Sequence, residues 1–270
     1  MSSLRGGLAR YANDTICIVR SPFHWQRKLR LWIRLTSFVA GFRGKILGYK
    51  VACLSRPALV LMYREVFARQ CYLFESQIPR PFILDCGANI GMAVLYFKWL
   101  YPDSEVWAFE PEPTAFSALQ QNVASNHLAN VSIHNVALWE ADGDLELFVP
   151  GRSSGNLVAS VNAARRVGVS MNVRCARLSS FVEREVDFLK LDVEGAELQV
   201  IQDLAESGKL RLIRQMVIEY HHNIPREPAA MSRLLRFLED SGFRYQISAW
   251  SFPLIGPEHF QDILIGAIRR

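Results

Sequence analysis

Cysteine is scarce and unpatterned in this 270-residue chain: Cys17, Cys53, Cys71, Cys86 and Cys175 are scattered, odd in number, and form no C-x-x-C pair. Neither a disulfide framework nor a zinc knuckle is supported, and a reducing, cytoplasmic compartment is the expectation. Long apolar runs are missing too. The best candidate, Leu29 to Leu47, is broken by Arg30, Arg34, Arg43 and Lys45, and its uncharged core from Leu35 to Phe42 is far shorter than a bilayer span requires. No small-residue cleavage site follows it, so it does not read as an export signal. Peripheral contact stays open: residues 20–50, with Trp25, Trp32, Phe38 and Phe42 beside arginines, could lie in a membrane interface. Repeats and low-complexity tracts are absent, and a hydrophobic share of 50% with 21% charge excludes large-scale disorder.

Acids are scarce in one part only. Residues 1–80 hold fourteen Lys and Arg against Asp14, Glu65 and Glu75, a net +11, while the remainder carries −6. The basic character is therefore N-terminal. It suits nucleic acid, an anionic membrane, a phosphorylated substrate or a merely solvated face, and no aromatic-basic interleaving of a nucleic-acid module accompanies it. This stretch reads as three helical pieces, Trp25 to Ala40, Lys45 to Leu54 and Pro57 to Phe74, forming a cap over residues 1–80 on a second unit spanning 81–270.

From Pro81 strands alternate with helices, the pattern of a mostly parallel sheet covered on both faces. The strands read as Phe82 to Asp85, Glu105 to Glu110, Val131 to Asn135, Phe188 to Asp192 and Gln215 to Tyr220, with an antiparallel pair, Tyr245 to Ala249 and Ile263 to Ile268, at the end. Helices read as Gly91 to Trp99, Pro113 to Ser125, Ala196 to Ala205 and Pro228 to Asp240. Asp142-Gly143-Asp144 before alternating Leu145, Leu147 and Val149 suggests a hairpin. Gly151 to Gly168, with Arg152, Arg165 and Arg166, reads as a mobile loop suited to an acidic acceptor, and Ser170 to Arg177 as extended chain.

The centre of this pattern is the turn Asp85-Cys86-Gly87-Ala88-Asn89-Ile90-Gly91 between the first strand and its helix. Gly87 and Gly91 permit a tight turn and close packing, with backbone N–H groups expected to face a ligand. The spacing is G-x-x-x-G, and the third glycine of the dinucleotide fingerprint is missing. A nucleoside without a pyrophosphate fits better than a nicotinamide dinucleotide. Successive strand ends then carry Asp85, Glu110, Asn135, Asp192 and Glu219, with His221 and His222 following, which lines a cleft where such sheets bind ligands. Glu110 stands close to the spacing at which a carboxylate accepts from a ribose diol.

Four boxes in order, Asp85 to Gly91, Phe109-Glu110-Pro111-Glu112-Pro113, Asn135-Val136-Ala137-Leu138 and Leu189-Lys190-Leu191-Asp192-Val193-Glu194-Gly195-Ala196-Glu197, resemble the FkbM family of S-adenosylmethionine-dependent methyltransferases. Arg64-Glu65-Val66-Phe67 with Tyr72 and Phe74 resembles the segment preceding its first strand, and the match runs over about residues 60 to 250. The resemblance implies a class I methyltransferase fold, an α/β architecture with a Rossmann-like seven-stranded sheet whose last strand is antiparallel. It implies methyl transfer to a hydroxyl of a sugar, glycan or secondary metabolite. It also implies that Gly87, Ala88, Asn89 and Gly91 hold the methionine end of the cofactor, Glu110 the ribose, and Asn135, Val136 and Ala137 the adenine edge. Asp85 would orient the glycine turn or meet the ligand's ammonium through water.

A sulfonium methyl is already activated, so an enzyme using it must align the acceptor oxygen and, for an alcohol, provide a base. Asp192 and His221 are the candidate bases, with Glu219 the third catalytic candidate. Asp192 and Glu219 could alternatively hold Mg²⁺ bridged by a sugar diol. Rival readings are a nicotinamide-dependent oxidoreductase, a non-catalytic cofactor-binding scaffold at a membrane, and a nucleic-acid methyltransferase. The last is opposed by Asp192-Val193-Glu194-Gly195 standing where an Asn/Asp-Pro-Pro-Tyr/Phe box would lie.

Overall fold

A computed structural model describes residues 12–39, 45–149, 169–224, 230–249 and 261–269. In chain order its elements are α1 (12–20), α2 (Trp25–Val39), α3 (Arg56–Tyr63), β1 (Phe82–Cys86), α4 (Met92–Leu100), β2 (Glu105–Phe109), α5 (Pro113–Ser125), β3 (Val131–His134), β4 (Ala137–Trp139), β5 (Gly143–Val149), β6 (Val169–Arg177), β7 (Val186–Leu191), α6 (Glu197–Glu206), β8 (Ile213–His222), α7 (Met231–Asp240), β9 (Phe243–Ala249) and β10 (Gln261–Arg269).

Seven strands form the main sheet in the order β3-β2-β1-β7-β8-β10-β9. Every pairing from β3 to β8 is parallel, and β10 runs antiparallel to both its neighbours. β1 and β7 are buried along their whole length, so their sequences are near-continuous apolar runs. Strand order reverses between β1 and β7, which puts the turn after Cys86 beside the chain leaving Leu191.

Helices and loops bury the two faces in separate cores. One gathers Leu31, Leu35, Tyr63, Phe67, Tyr96, Phe97 and Phe188, so the segment before β1 packs into the same core as α4. Phe67 stacks on Tyr63 and meets Tyr96 edge-on, with centroids 5.3 and 5.2 Å apart. The other gathers Leu189, Leu191, Val200, Leu204, Ile218, Leu234 and Leu238 from β7, β8, α6 and α7. Asp14 on α1 is buried between two guanidinium groups, Arg64 and Arg69, which ties α1 to a single π-helical turn at Arg64–Ala68.

Helix α5 spans the residues expected, because its cap is local: Glu112 accepts from Thr114 N and Ala115 N at 2.9 and 2.6 Å, and Pro113 occupies the first turn. Three expectations are corrected. Lys45 to Leu54 is not a helix; a tight turn over Leu47 and Gly48 bonds Ile46 to Tyr49, and the chain then runs extended. Asn122 on α5 and Asn126 at its C-cap, four apart, hold it as a neighbouring strand would, by paired bonds to Ala52 (2.6 and 3.0 Å) and Lys50 (2.8 and 2.7 Å). Pro57 to Phe74 does not stay helical, since the π-helical turn ends it at Ala68. The hairpin expected at Asp142 to Asp144 is a three-stranded sheet in which β6 lies between β4 and β5, pairing Gly143 and Ala137 with the same residue, Cys175. The Gly151 to Gly168 loop and Phe42 lie outside the described residues. All five cysteines are free.

Candidate active site

The turn from β1 into α4 is closed on itself. Gly87 N and Ala88 N both donate to Phe109 O at 3.0 and 2.9 Å, and Asn89 N donates to Glu110 Oε2 at 2.8 Å. Ile90 N donates to Asn89 Oδ1 and Gly91 N to Ala88 O, each at 2.8 Å. The donors expected to face a ligand are thus already engaged, and no N–H cradle for a pyrophosphate exists here. Gly87 has φ +83°, and a Cβ on it would collide with the carbonyl oxygen of Asp192, so the residue is fixed by both dihedral and proximity. A Cβ on Gly91, at φ +86°, would come to 2.6 Å from Leu119 Cδ1 of α5.

Beneath the turn lies a charge network. Asp85 is fully buried and lines neither cavity of the cleft, a placement that suits the first of its two expected roles, orienting the glycine turn, better than meeting the ligand's ammonium. Its charged partner is Lys190 Nζ at 3.3 Å; the same ammonium lies 3.3 Å from Asp192 Oδ2 and donates to Gly87 O at 2.6 Å. Burial alone would lower the Lys190 pKa, but Asp85, Asp192 and Glu219 outweigh it and hold the group above its ordinary range, charged. Asp85 therefore acts on the turn through Lys190.

Glu110 ends β2 at the rim of a cleft also lined by Asn89, Phe109, Ala115, Val136, Leu138 and Leu147. Burial pushes its carboxyl up to about 7, moderated by the N–H groups of Glu112 and Asn89. Each oxygen accepts one backbone N–H, Asn89 N and Glu112 N, which leaves acceptor capacity on both. An acid between apolar walls suits a nucleoside, whose sugar is a diol and whose base is flat and apolar on its faces. Val136 lines this cleft as expected. Asn135 does not: its amide donates to Glu110 O and Pro111 O at 2.8 and 3.1 Å, bracing the loop from behind.

A second cavity, of about 230 Å³, shares Gly87, Asn89, Asp192 and Glu194 with the first. Its lining is apolar at Ala58, Met62 and Val66 and polar at Glu65, Tyr72, Lys190, Asp192 and Glu219. Tyr72 Oη donates to Glu219 Oε2 at 3.3 Å. Glu219 is pushed up to about 8, first by the Asp192 charge and then by burial, and Glu65 up to about 7, first by burial. Glu65 is a residue that sequence reasoning passed over. Its signal was there: it is one of the three acids in a strongly basic segment.

His221 is buried with Nδ1 2.9 Å from Glu197 Oε1 and Nε2 3.1 Å from Glu194 Oε2. Burial opposes its charge, but the two glutamates outweigh burial and raise its pKa well above the usual value. With both ring nitrogens facing glutamates, His221 is placed to clamp the 194–197 loop, and it lines neither cavity of the cleft, where a general base would meet an acceptor. Glu197 completes that clamp by accepting from Val193 N and Gly195 N at 3.2 and 2.9 Å. Ligand atoms of Asp192, Glu219 and His221 lie within 4.8 Å of one another. They do not suit Mg²⁺, which takes oxygen donors, because the imidazole is doubly paired and the Lys190 ammonium already balances Asp192.

The sheet order, the antiparallel penultimate strand in space and the acid-ended cleft at the switch point define a class I S-adenosylmethionine-dependent methyltransferase. The model of the methyltransferase FkbM domain matches residues 85–245, and the chain belongs to that family. It is 32% identical over 225 residues to methyltransferase sdnD of Sordaria araneosa, covering 70% of this chain and 84% of the relative. It is 27% identical over 228 residues to the 31-O-demethyl-FK506 methyltransferase FkbM of Streptomyces tacrolimicus, covering 73% and 86%. The crystal structure of a methyltransferase FkbM from Methylobacillus flagellatus KT is similar with TM-score 0.46 and 13% identity, covering 98% of this chain and 60% of that one. Membership of that family sets the oxidoreductase alternative aside.

Proposed function

We propose that the chain methylates a hydroxyl oxygen of a sugar or secondary metabolite, with the nucleoside of S-adenosylmethionine in the Glu110 cleft and the acceptor in the adjoining cavity. The observation that carries this reading is that the two cavities meet at Gly87, Asn89, Asp192 and Glu194, so a ligand in each would touch at one point. The relative from Streptomyces tacrolimicus, named for an O-demethylated metabolite, supports an oxygen acceptor.

When bound, S-adenosylmethionine supplies a methyl group on a positively charged sulfur. The chain's own residues do the rest. Glu110 would accept from the ribose hydroxyls, Val136 and Ala137 would border the adenine, and Gly87, Ala88 and Asn89 would border the amino-acid end, residues that line the two cavities. Asp192, its carboxyl raised by burial with the Lys190 ammonium 3.3 Å away opposing that shift, would take the acceptor's proton, while Glu219, pushed up to about 8, would keep its own near neutral pH and, with Tyr72, orient the acceptor. The apolar lining at Ala58, Met62 and Val66 keeps water from the junction.

Calorimetric titration of S-adenosylmethionine and of NAD into wild type, Glu110→Ala and Asp192→Asn tests the assignment. Only S-adenosylmethionine should bind; Glu110→Ala should abolish that binding. Asp192→Asn should keep affinity within a few-fold yet lower S-adenosylhomocysteine release in the presence of an acceptor by about 10²–10⁴. Undiminished turnover in Asp192→Asn would remove it as the base.

A further inference from the structure

Helix α2 has more than one apolar face. Leu31 and Leu35 are buried in the core, yet Trp25, Leu29, Trp32 and Ile33 are between 42% and 61% exposed. Their spacing, i, i+4, i+7 and i+8, puts them on one stripe turned away from the buried pair. α1 adds Ile16 and Val19, 47% and 63% exposed. Six large apolar side chains on two consecutive helices are more than the scattered exposure ordinary surfaces carry.

The charge on α2 has one sign. α2 contains Arg27, Lys28, Arg30 and Arg34 and no acid, within a segment of net +11. The single acid of α1, Asp14, is buried between Arg64 and Arg69 and contributes no negative field outside. Lys28 Nζ is bonded to Val19 O at 2.7 Å, and Arg27 lies over the rings of Trp99 and Phe23 at 5.0 and 5.8 Å, so part of the basic surface is fixed in place. A helix of 15 residues with two tryptophans in an apolar stripe and arginines beside it has the composition of one lying in a headgroup plane. No helix among the described residues is long and apolar enough to cross a membrane.

We propose that the outer face of α1 and α2 docks this enzyme on an anionic phospholipid bilayer, with Trp25, Leu29, Trp32 and Ile33 entering the interface and Arg30 meeting lipid phosphates. The occupant is argued from charge complementarity: an uncharged partner would gain nothing from the four basic residues of α2, a helix that holds no acid, and a bilayer accepts a stripe of this shape without a matching groove.

The test uses the full chain and large unilamellar vesicles of phosphatidylcholine, alone or mixed with phosphatidylglycerol. Wild type should sediment with the mixed vesicles and not with phosphatidylcholine alone, and raising salt should release it. Trp25→Ser/Trp32→Ser should weaken partitioning by about tenfold or more, and Arg30→Glu by several-fold. Calorimetric binding of S-adenosylmethionine, unchanged in these variants, separates lost docking from lost folding. Absence of wild-type binding to mixed vesicles overturns the proposal, as does equal partitioning of wild type and the double variant. A dimer in sedimentation velocity that the double variant abolishes, with no vesicle binding, would give the face to a second copy instead.

Discussion

Lys190→Met isolates what the buried network contributes. The side chain is enclosed, its ammonium is 3.3 Å from Asp85, and neither oxygen of that fully buried carboxylate has another hydrogen-bond donor among the described residues. Removing one partner of a buried ion pair typically costs about 3–5 kcal/mol, since the survivor is left as an uncompensated charge. The bond to Gly87 O is lost as well, a contribution of about 1.5–3 kcal/mol for a charged donor. These overlap, so the expected loss is about 4 kcal/mol in the urea midpoint at constant m-value. Asp85→Asn/Lys190→Met should recover part of it, because the stranded carboxylate is gone; the coupling between the two sites should exceed about 1.5 kcal/mol. A loss under about 1 kcal/mol for Lys190→Met, or strict additivity in the cycle, would refute the account of Lys190 as the cation that Asp85 requires.

Gly87→Ala should cost about 3 kcal/mol or prevent folding, because φ +83° is unfavourable for alanine and the new methyl meets the Asp192 carbonyl; a melting temperature within a degree of wild type would contradict it. Stability of the ligand-free protein should fall as pH rises from about 5 to 8.5. Glu65 and Glu110 ionise near 7 and Glu219 near 8 when folded, against the ordinary 4.5, so the unfolded chain binds fewer protons across that range. His221, raised when folded, adds stability below its ordinary 6.5 that is lost as pH climbs through its folded value, the same direction. Melting temperatures that stay flat or rise between those limits would contradict both shifts. Turnover should persist in excess chelator, since Asp192, Glu219 and His221 are already paired; loss of activity restored by Mg²⁺ would reverse that conclusion.

Local signals carried most of the architecture. Helix α5 and strands β1 and β2 could be read because their caps, glycines and apolar runs lie within the elements themselves. Lys45 to Leu54 could not, since its conformation is decided by Asn122 and Asn126, 70 and 76 positions from the residues they bond. The order β4-β6-β5 likewise depends on a strand that follows the Gly151 to Gly168 stretch. At the site, strand-end position was enough to put Glu110 and Asp192 on the lining of the cleft but could not say on which side of the turn Asp85 would fall; Lys190, two residues before Asp192, decides that. His221 looked like a base because its two glutamate partners stand on a different element, 24 and 27 positions back in the chain. Glu65 was visible as an acid among arginines, and its chemistry emerged only when the π-helical turn brought it into the same cavity as Glu219.

The self-contained hydrogen bonding of the Gly87 to Gly91 turn bears on the thermodynamics of turnover. A loop that needs a ligand to satisfy its donors must be ordered at each binding event and released at each product departure; this one is preorganised. Its amides should exchange slowly with deuterium even without cofactor, so the fluctuations that admit S-adenosylmethionine and free S-adenosylhomocysteine have to come from elsewhere along the cleft's rim.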